Sequence, residues 1–395
     1  MRILTLTTLY PNAAAPTHGI FVENRLRAMI DEGGIEARVI APVPWFPSPN
    51  AIFGSWAQFA KAPRQEKRHG IEIAHPRYLL PPKIGMTWAA YALADCFEKA
   101  ALKLIEQGWD FDAIDAHYYY PDGVAAVEAG RRLGKPVVVT ARGTDINLIP
   151  RYARQRRMIL EAAESAQASI TVCQALKDEM VALGASADKI SVLRNGVDLT
   201  LFRPADRDAI RERMHLQGPV LLSVGHLIER KGHHLVLEAA ASMPAVTVLI
   251  AGDGPERSAL EQYAGRIGIA GRVRFLGALP HEQLPELYNA ADVLVLASSR
   301  EGWPNVMLEA MACGARVVTT RVSDVPDVVN APAAGAWVEE RSPESLARII
   351  SQLLAAPVPR EETRTHALGF TWEATTQGQL GLFREILRRH GADAP

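Results

Sequence analysis

Residues 293–320 read VLVLASSREGWPNVMLEAMACGARVVTT, and this stretch sets the fold class of the chain. Two short apolar runs at 293–298 and 315–320 predict strands, and the pattern near 305–313 predicts a helix between them. Strand, helix and strand within about 30 residues are typical of a βαβ unit in a parallel sheet. Because the strands are apolar at nearly every position, we expect helices to cover both faces of that sheet.

The same alternation of strand and helix extends along the whole chain. In the second half, the sequence predicts further strands at 220–226, 247–252 and 272–277, and helices near 231–242, 256–268 and 281–290. In the first half it predicts strands at 2–8, 36–42, 71–78, 112–118, 136–142, 168–173 and 189–194, with helices at 20–32, 87–107 and 122–133. A last helix is predicted at 372–390. This alternation favours parallel α/β domains.

The length of 395 residues predicts two domains, because a domain commonly takes about 100–200 residues. We expect an α/β chain of two doubly wound, Rossmann-like domains that face a cleft. The predicted parts are an N-terminal domain at 1–195, a connection without strand signals at 196–218, a C-terminal domain at 219–371, and a helix at 372–395 that packs back on the N-terminal domain. Ligands of such sheets bind outside the carboxyl ends of the strands.

The composition excludes several classes of protein. Hydrophobic residues make up 48% and charged residues 22% of the chain, which is typical of a globular protein. With 43 basic and 44 acidic residues the net charge is −1, so we expect no nucleic-acid partner. The three scattered cysteines indicate a reducing compartment without a zinc site.

Neither a targeting segment nor a membrane span is predicted. The start, MRILTLTTLYP, has the pattern of a first β-strand and no cleavage site of small residues after it. The longest uncharged stretch, 39–60, contains four prolines that would break a spanning helix. We therefore expect a cytoplasmic protein that is soluble or peripheral at the membrane.

Common cofactor and metal motifs are missing from the sequence. No G-x-G-x-x-G follows the first strand, and no phosphate-binding G-x-x-x-x-G-K-[ST] occurs. Asp110 and Asp112 spell the D-x-D of metal-dependent sugar transferases, but they precede their strand, which favours a solvated turn. His233 and His234 open a helix without a third ligand nearby, so we expect them to face solvent.

Two glutamates, Glu301 and Glu309, stand eight positions apart after the strand VLVLA. A helix that begins near Pro304 would place the amides of Asn305 and Val306 at its positive end, where a phosphate can bind. One glutamate could then hold ribose hydroxyls and the other could lie beside a sugar. By spacing alone, the favoured interpretation is a solvated loop glutamate and an ordinary helix-surface glutamate, and only the surrounding sequence favours a site.

The wider pattern resembles family 4 of the glycosyltransferases, retaining enzymes of the GT-B fold. The segment EGWPNVMLEAMACGARVV resembles the hallmark of that family, two glutamates separated by seven residues. Similar segments occur in the same order elsewhere, namely HGIFVENRLRAM, AHYYYPDG, ARGTD, LRNGVD, SVGHLIERKG and IAGDGPE. The resemblance covers essentially the whole chain and is nearest to bacterial cell-surface polysaccharide enzymes of the teichuronic-acid type.

The resemblance implies a set of residues around the diphosphate of a sugar donor. Gly19 matches the glycine whose backbone approaches the diphosphate, and Lys231 matches the basic residue that neutralises it. The amides of Asn305 and Val306 would also contact it. His226 stands where the family usually has arginine, and the neighbouring Arg230 is a candidate substitute; both are counted as donor-binding residues.

The resemblance also implies residues around the sugar and the nucleoside. Glu309 matches the ribose-binding glutamate, and Glu301 matches the glutamate that contacts the transferred sugar near its reacting carbon. His117 matches a histidine that reaches the sugar from the other domain. Leu279 lies in the loop that would border the base. Glu301, His117 and Lys231 are therefore the predicted catalytic residues.

The implied activity is retaining transfer of a hexose-type sugar from a UDP- or GDP-sugar to a glycan or lipid-linked acceptor, in surface polysaccharide synthesis. No metal and no other cofactor is expected, because fixed cations and helix amides can stabilise the diphosphate leaving group. Two alternatives remain: a sugar-nucleotide epimerase of the same fold, and a non-catalytic protein that binds sugar nucleotides.

Segment 45–59 suggests contact with a membrane. It carries Trp45, Phe46, Phe53, Trp56 and Phe59 in a proline-rich loop, followed by Lys61, Arg64, Lys67 and Arg68. A second basic run comprises Arg151, Arg154, Arg156 and Arg157. Aromatic side chains beside basic ones suit an anionic bilayer surface at the inner face of the cytoplasmic membrane. The alternative is that the aromatic residues pack against their own domain.

Overall fold

The computed structural model describes residues 1–80 and 85–392, so 393–395 of the predicted last helix lie outside the described residues. The chain divides into two compact units. The first contains Met1–Asn195 together with the chain from Trp372 onward, and the second contains Gly196–Thr371.

An eight-stranded sheet forms the centre of the first unit. Its strand order is β10-β9-β8-β7-β1-β2-β5-β4, and every pairing is parallel except that of β4 with β5. The strands are β1 (Arg2–Leu6), β2 (Glu36–Ile40), β4 (Gln65–Arg68), β5 (Ile71–Ala74), β7 (Ala113–His117), β8 (Val137–Ala141), β9 (Ala168–Thr171) and β10 (Ile190–Val192). Two further strands, β3 (Val43–Pro44) and β6 (Arg77–Tyr78), pair separately. The buried strands β1, β7 and β8 carry the apolar runs that predicted them.

α-Helices connect these strands in the described part of the chain. They are α1 (Ile20–Glu32), α2 (Ser55–Lys61), α3 (Gly85–Glu106), α4 (Val124–Leu133), α5 (Thr144–Asn147), α6 (Ala153–Ser165) and α7 (Gln174–Leu183). The chain order of the strands reverses between β1 and β7, which is the switch point where a doubly wound sheet opens a crevice. The loops after these two strands, which lead to Gly19 and follow His117, are therefore neighbours at one edge of the sheet.

The second unit has a six-stranded, fully parallel sheet in the order β13-β12-β11-β14-β15-β16. Its strands are β11 (Val220–Val224), β12 (Thr247–Ala251), β13 (Val273–Gly277), β14 (Val293–Leu296), β15 (Arg316–Thr320) and β16 (Gly335–Val338). Its helices are α8 (Arg207–Arg213), α9 (His233–Ala241), α10 (Arg257–Arg266), α11 (Leu284–Ala290), α12 (Asn305–Ala312), α13 (Val325–Val328), α14 (Pro343–Ala355) and α15 (Arg360–Ala367). Here the strand order reverses between β11 and β14.

The last helix, α16 (Trp372–Ala392), belongs to the first unit, where it packs against α1. Its apolar face joins the core of that unit through Leu380, Phe383 and Ile386. The fold is therefore the expected pair of doubly wound, Rossmann-like sheets.

The stretch 196–218, expected as a connection without strand signals, has no strand in the structure. It belongs to the second unit and contains α8, whose first turn is capped by the Asp206 side chain accepting from the amide of Ala209 at 3.0 Å. Segment 45–59 is also not a plain loop, since it includes a 3₁₀ turn at Ala51–Phe53 and the start of α2. Within the described residues, no helix combines the length and the apolar character needed to cross a membrane.

Candidate active site

Glu301 lies in the loop after β14, and both of its carboxylate oxygens are held. Oε1 accepts from Nζ of Lys231 and from the hydroxyl of Ser298, each at 2.6 Å. Oε2 lies 3.6 Å from Nη1 of Arg230. Glu301 is only 7% exposed, so these partners compensate a nearly buried charge.

Two cations therefore face one carboxylate in this cluster of Arg230, Lys231 and Glu301. Lys231 and Arg230 are also partly exposed, with 16% and 27% of their side chains accessible. The excess of one positive charge at a solvent-accessible crevice favours the binding of an anion. The fold therefore brings together three of the residues that the resemblance implies.

Close backbone packing brings Lys231 to Glu301. Gly232 has φ of 70°, and a Cβ at this position would lie 2.1 Å from the carbonyl oxygen of Ala297. The amide of Ser299 also donates to the carbonyl of Arg230 at 2.8 Å. Only glycine permits this contact between the loops after β11 and β14, which sets the position of both cations.

Helix α12 begins at Asn305, directly after Pro304, as the sequence predicts. Asn305 and Val306 form its first turn at the same edge of the sheet as Glu301. Amides of a first helical turn point along the axis at the positive end of the helix dipole. This turn is therefore placed to assist Lys231 with an anion.

Glu309, one turn further into α12, has two partners of its own. Its Oε2 accepts from the hydroxyl of Tyr288 at 2.7 Å, and its Oε1 lies 3.1 Å from Nε2 of His281. Burial and the nearby carboxylate raise the pKa of Tyr288 well above its ordinary value, so the phenol is a neutral donor. Burial lowers the pKa of His281, but Glu309 outweighs it and the pKa is raised.

Leu279 and His226 lie in two other loops of the second unit. Leu279 is half-buried and follows Gly277, the last residue of β13. His226 is exposed after β11. For both residues the role in donor binding stays a prediction.

The expectation that His233 faces solvent is wrong. It is 2% exposed, and its Nδ1 lies 2.9 Å from the hydroxyl of Ser223 in β11. Burial lowers its pKa to about 4. The tight turn at Gly232 directs the first residue of α9 inward, which the helix pattern alone does not reveal.

In the first unit, His117 ends β7 with both ring nitrogens occupied. Nδ1 lies 2.8 Å from Nη2 of Arg142, and Nε2 lies 3.2 Å from Asp115. Because arginine can only donate, Nδ1 accepts and Nε2 carries the proton. Burial lowers the pKa of His117 to about 4, so the ring is neutral. A contact of His117 with sugar stays a prediction.

A buried polar network surrounds His117. Gln379 of α16 accepts from Nε of Arg25 at 2.5 Å and donates to Asp115 at 3.1 Å. Arg142 and Arg25 also contact Asn195, at 3.1 and 3.4 Å. Asp115, Arg25 and Gln379 were not predicted as functional residues from the sequence. The sequence does contain one indication of this network, because each of the three polar residues occupies a position that the strand or helix pattern predicts to be buried.

Gly19 precedes α1 with φ of 68°, and a Cβ there would lie 2.4 Å from the backbone of Leu9. This packing alone requires glycine. Its approach to a diphosphate stays a prediction.

The D-x-D pair lies at the amino end of β7, away from the crevice edge. Asp112 accepts from the amide of Arg2 at 2.7 Å, and Asp110 pairs with Lys135 at 2.8 Å. Both carboxylates have structural partners, which favours the interpretation as a turn. Across the described part of the chain, no three His, Cys, Asp or Glu side chains are grouped to hold a metal ion.

Comparison with known proteins places this geometry in a family. The model described as Glycosyltransferase Family 4 matches residues 19–201, and the model described as Glycosyl transferases group 1 matches residues 206–367. TuaC of Bacillus subtilis, a glycosyltransferase named for teichuronic acid biosynthesis, is 30% identical over 82% of each chain. A D-inositol 3-phosphate glycosyltransferase of Acidothermus cellulolyticus is 33% identical over 71% of this chain and 68% of its own.

Solved structures agree with the fold. A sucrose-phosphate synthase from Thermosynechococcus elongatus superposes with a TM-score of 0.79 at 21% identity, covering 98% of this chain and 99% of its own. Anabaena HepE in complex with UDP gives a TM-score of 0.74 at 22% identity, over 98% of this chain and all of its own. The chain belongs to family 4 of the glycosyltransferases and is a glycosyltransferase of the GT-B fold.

Proposed function

We propose that this glycosyltransferase moves a hexose-type sugar, with retention, from a nucleotide-diphosphate sugar to a glycan or lipid-linked acceptor of a surface polysaccharide. The observation that carries the proposal is the cluster of Glu301, Lys231 and Arg230 beside the first turn of α12. It combines one carboxylate with an excess of fixed positive charge at the switch point of the sheet.

The charges fit the reaction. Cleavage of a glycosyl–phosphate bond develops negative charge on the diphosphate and positive charge on the sugar ring. Lys231, Arg230 and the first amides of α12 would stabilise the diphosphate, and Glu301 would stabilise the ring. Lys231 and Glu301 form an ion pair. A bound donor would therefore have its negative diphosphate beside Lys231 and its positive sugar ring beside Glu301.

The donor class has support from similar proteins. Anabaena HepE has been solved in complex with UDP, with UDP and glucose, and with UDP-glucose. These complexes support a nucleotide-diphosphate sugar as the donor of the present chain, with a UDP-sugar as the first candidate. The name of TuaC supports an acceptor in a cell-surface polysaccharide.

Turnover of labelled donor separates this proposal from its two rivals. Screening UDP- and GDP-sugars by thermal stabilisation identifies the donor first, because a bound ligand raises the apparent stability. A transferase then consumes the donor only with a lipid-linked or glycan acceptor. An epimerase releases a free isomerised sugar without acceptor, and a non-catalytic binding protein consumes nothing. Lys231→Met should abolish the wild-type turnover.

We also propose that the reaction needs no metal ion. Lys231 and Arg230 leave an excess of one positive charge after Glu301 is counted, and the first amides of α12 add the positive end of a helix dipole. Together they would stabilise the diphosphate, which is the role a divalent ion takes in other sugar transferases. Turnover in EDTA should equal turnover in its absence. Loss of activity in EDTA that magnesium or manganese restores would contradict this and return Asp110 and Asp112 to consideration.

Exposed apolar side chains support a peripheral position of the first unit on an anionic membrane. Within the described residues, ten of the eleven exposed large apolar side chains belong to that unit: Trp45, Ile52, Phe53, Leu79, Met86, Trp88, Tyr91, Leu102, Tyr152 and Val181. The amide of Trp45 donates to Tyr78, directly before Leu79. The carbonyl of Met86 accepts from Tyr120 and Gln155, which ties the start of α3 to α6.

Basic residues accompany these apolar groups. In segment 45–68, some aromatic and basic side chains pack within the protein and others are exposed. Phe46, Phe53, Trp56 and Phe59 contact one another as an aromatic cluster, with ring centroids 5.2 to 5.7 Å apart. Arg68 is held by the buried Glu23 at 2.7 Å. Lys61, Arg64, Arg151 and Arg154 are exposed. Trp45, Ile52 and Phe53 remain exposed, so this segment still presents an apolar surface.

Vesicle co-sedimentation tests this position on the inner face of the cytoplasmic membrane. Binding should require anionic lipid and weaken with salt, because exposed charges are screened. Trp45→Ser and Trp88→Ser should reduce binding, whereas Leu368→Ser in the second unit is the matched control. If binding does not change with lipid charge, salt or the two tryptophan substitutions, the proposed peripheral position on the membrane is contradicted.

A further inference from the structure

The carboxylate of Glu309 is fixed from two sides by residues that no motif marks. His281 lies in the 3₁₀ turn His281–Gln283, and Tyr288 lies in α11. They are 28 and 21 positions before Glu309, and each contacts a different carboxylate oxygen. Tyr288 is fully buried, and the side chains of His281 and Glu309 are 12% and 9% exposed.

We propose that His281 and Tyr288 are positioning residues for the nucleoside diphosphate of the donor, and that they act through Glu309. The inference rests on the proposed function and on the role that the family resemblance implies for Glu309, which is to accept hydrogen bonds from the ribose hydroxyls of the donor. It adds two residues that touch neither the ribose nor the diphosphate.

Packing holds the two donors in place. The ring of Phe202 meets the rings of His281 and Tyr288 edge-on, with centroids 5.0 and 5.8 Å apart. Phe202 is 1% exposed, so the three rings form a buried support beneath Glu309. This packing restrains the rings of His281 and Tyr288 in the orientation in which they contact Glu309.

The two contacts leave Glu309 able to accept further hydrogen bonds. An ionised carboxylate has about four acceptor positions, and the protein uses two of them, one on each oxygen. A carboxylate that is already oriented loses no side-chain freedom when two hydroxyls bind it. Preorganisation of this kind strengthens binding without adding a contact to the ligand.

The test measures binding of UDP and GDP to the full chain by titration calorimetry. His281→Ala and Tyr288→Phe should each weaken binding of the nucleotide that the wild type prefers by about three- to tenfold. His281→Gln should restore most of the affinity, because its amide can donate from a similar position. Gln283→Ala, an exposed neighbour in the same turn, is the matched control and should bind as the wild type does.

A second comparison separates positioning from a merely structural role. In a Glu309→Gln background, His281→Ala should cause no further loss of nucleotide affinity. The 2′,3′-dideoxy nucleotide lacks the ribose hydroxyls, so the wild type and His281→Ala should bind it with equal affinity. In turnover, His281→Ala should raise the donor KM and leave kcat within about twofold. Melting temperatures show whether each variant is folded, and Tyr288→Phe removes only a hydroxyl.

The outcomes are distinguishable. If the wild type binds the nucleotide and both His281→Ala and Tyr288→Phe bind it with the same affinity, the inference is overturned and the proposed function is not. A loss that persists in full with Glu309→Gln or with the dideoxy nucleotide also overturns it. Failure of the wild type to bind either UDP or GDP contradicts the proposed function and the inference together.

Discussion

Glu301 has two roles, one in the stability of the unliganded protein and one in the proposed reaction. Its carboxylate balances Lys231 and Arg230 in the unliganded protein, and the same carboxylate is proposed to face the reacting sugar. A substitution that removes only its charge therefore separates the two roles. The neutral amide leaves two uncompensated cations, which attract the diphosphate more strongly.

Glu301→Gln should lower kcat by about a hundredfold and leave the donor KM equal or smaller, since the lost charge acts on the transition state. Steady-state kinetics at saturating acceptor measure both constants. Glu309→Gln is the matched comparison, with a raised donor KM as its main effect. Equal and small effects of the two substitutions would contradict the separate roles.

Asp122 is a buried carboxylate whose effect on stability depends on pH. Burial raises its pKa to about 7, although Thr7 and Thr8 donate to it. The folded state therefore holds a proton that the unfolded chain releases near pH 4, so this contribution to stability falls as pH rises towards 7.

Asp122→Asn keeps the shape and cannot ionise. Its free energy of unfolding, relative to wild type, should therefore rise by about 1 kcal/mol per pH unit between pH 5 and 7. Urea titrations at several pH values measure this difference, and Asp31→Asn on the surface is the control. A difference that is constant with pH would show that Asp122 is ionised throughout.

At the scale of elements, α16 contributes more than an apolar face. Gln379 bridges Arg25 on α1 and Asp115 in β7, and both of these charges are buried. The helix thereby completes the polar network below His117.

Gln379→Leu should cost about 2 to 3 kcal/mol of unfolding free energy, because it leaves two buried charged groups each short of a partner. Gln377→Leu, on the exposed side of the same helix, should stay within about 0.5 kcal/mol of wild type. Denaturant unfolding measures both. Similar values for the two variants would mean that water replaces Gln379 without loss.

The sequence predicts those elements whose own residues are strongly patterned. Helix α1 has the predicted bounds, and strands such as β11 and β14 follow their apolar runs. Strand β4, with the sequence QEKR, has no apolar face because it lies at the sheet edge and pairs with β5 alone. Such an element forms through its neighbour, so local pattern does not predict it.

The same distinction applies to the candidate site. The βαβ pattern places Glu301, Asn305 and Glu309 at the edge of the sheet from sequence alone. The contacts of Glu309 with His281 and Tyr288 depend on how α11 packs beside α12, which no local pattern contains. The inward turn of His233 likewise follows from the contact of Gly232 with Ala297.

At the scale of the whole molecule, each unit has a switch point with polar residues at the carboxyl ends of its strands. The second unit carries the cationic cluster and Glu309, and the first carries His117 with its buried network. The first unit also carries nearly all of the exposed large apolar side chains among the described residues. This division predicts that donor recognition and membrane contact respond to different substitutions.

The proposed reaction is retaining transfer of a sugar from a nucleotide-diphosphate donor. The most direct test follows the reaction of the identified donor and acceptor by proton NMR and reads the anomeric configuration of the first product. An α-linked donor should give an α-linked product, and Lys231→Met should give none. A β-linked product, or consumption of donor without any glycosidic product, would contradict the claim.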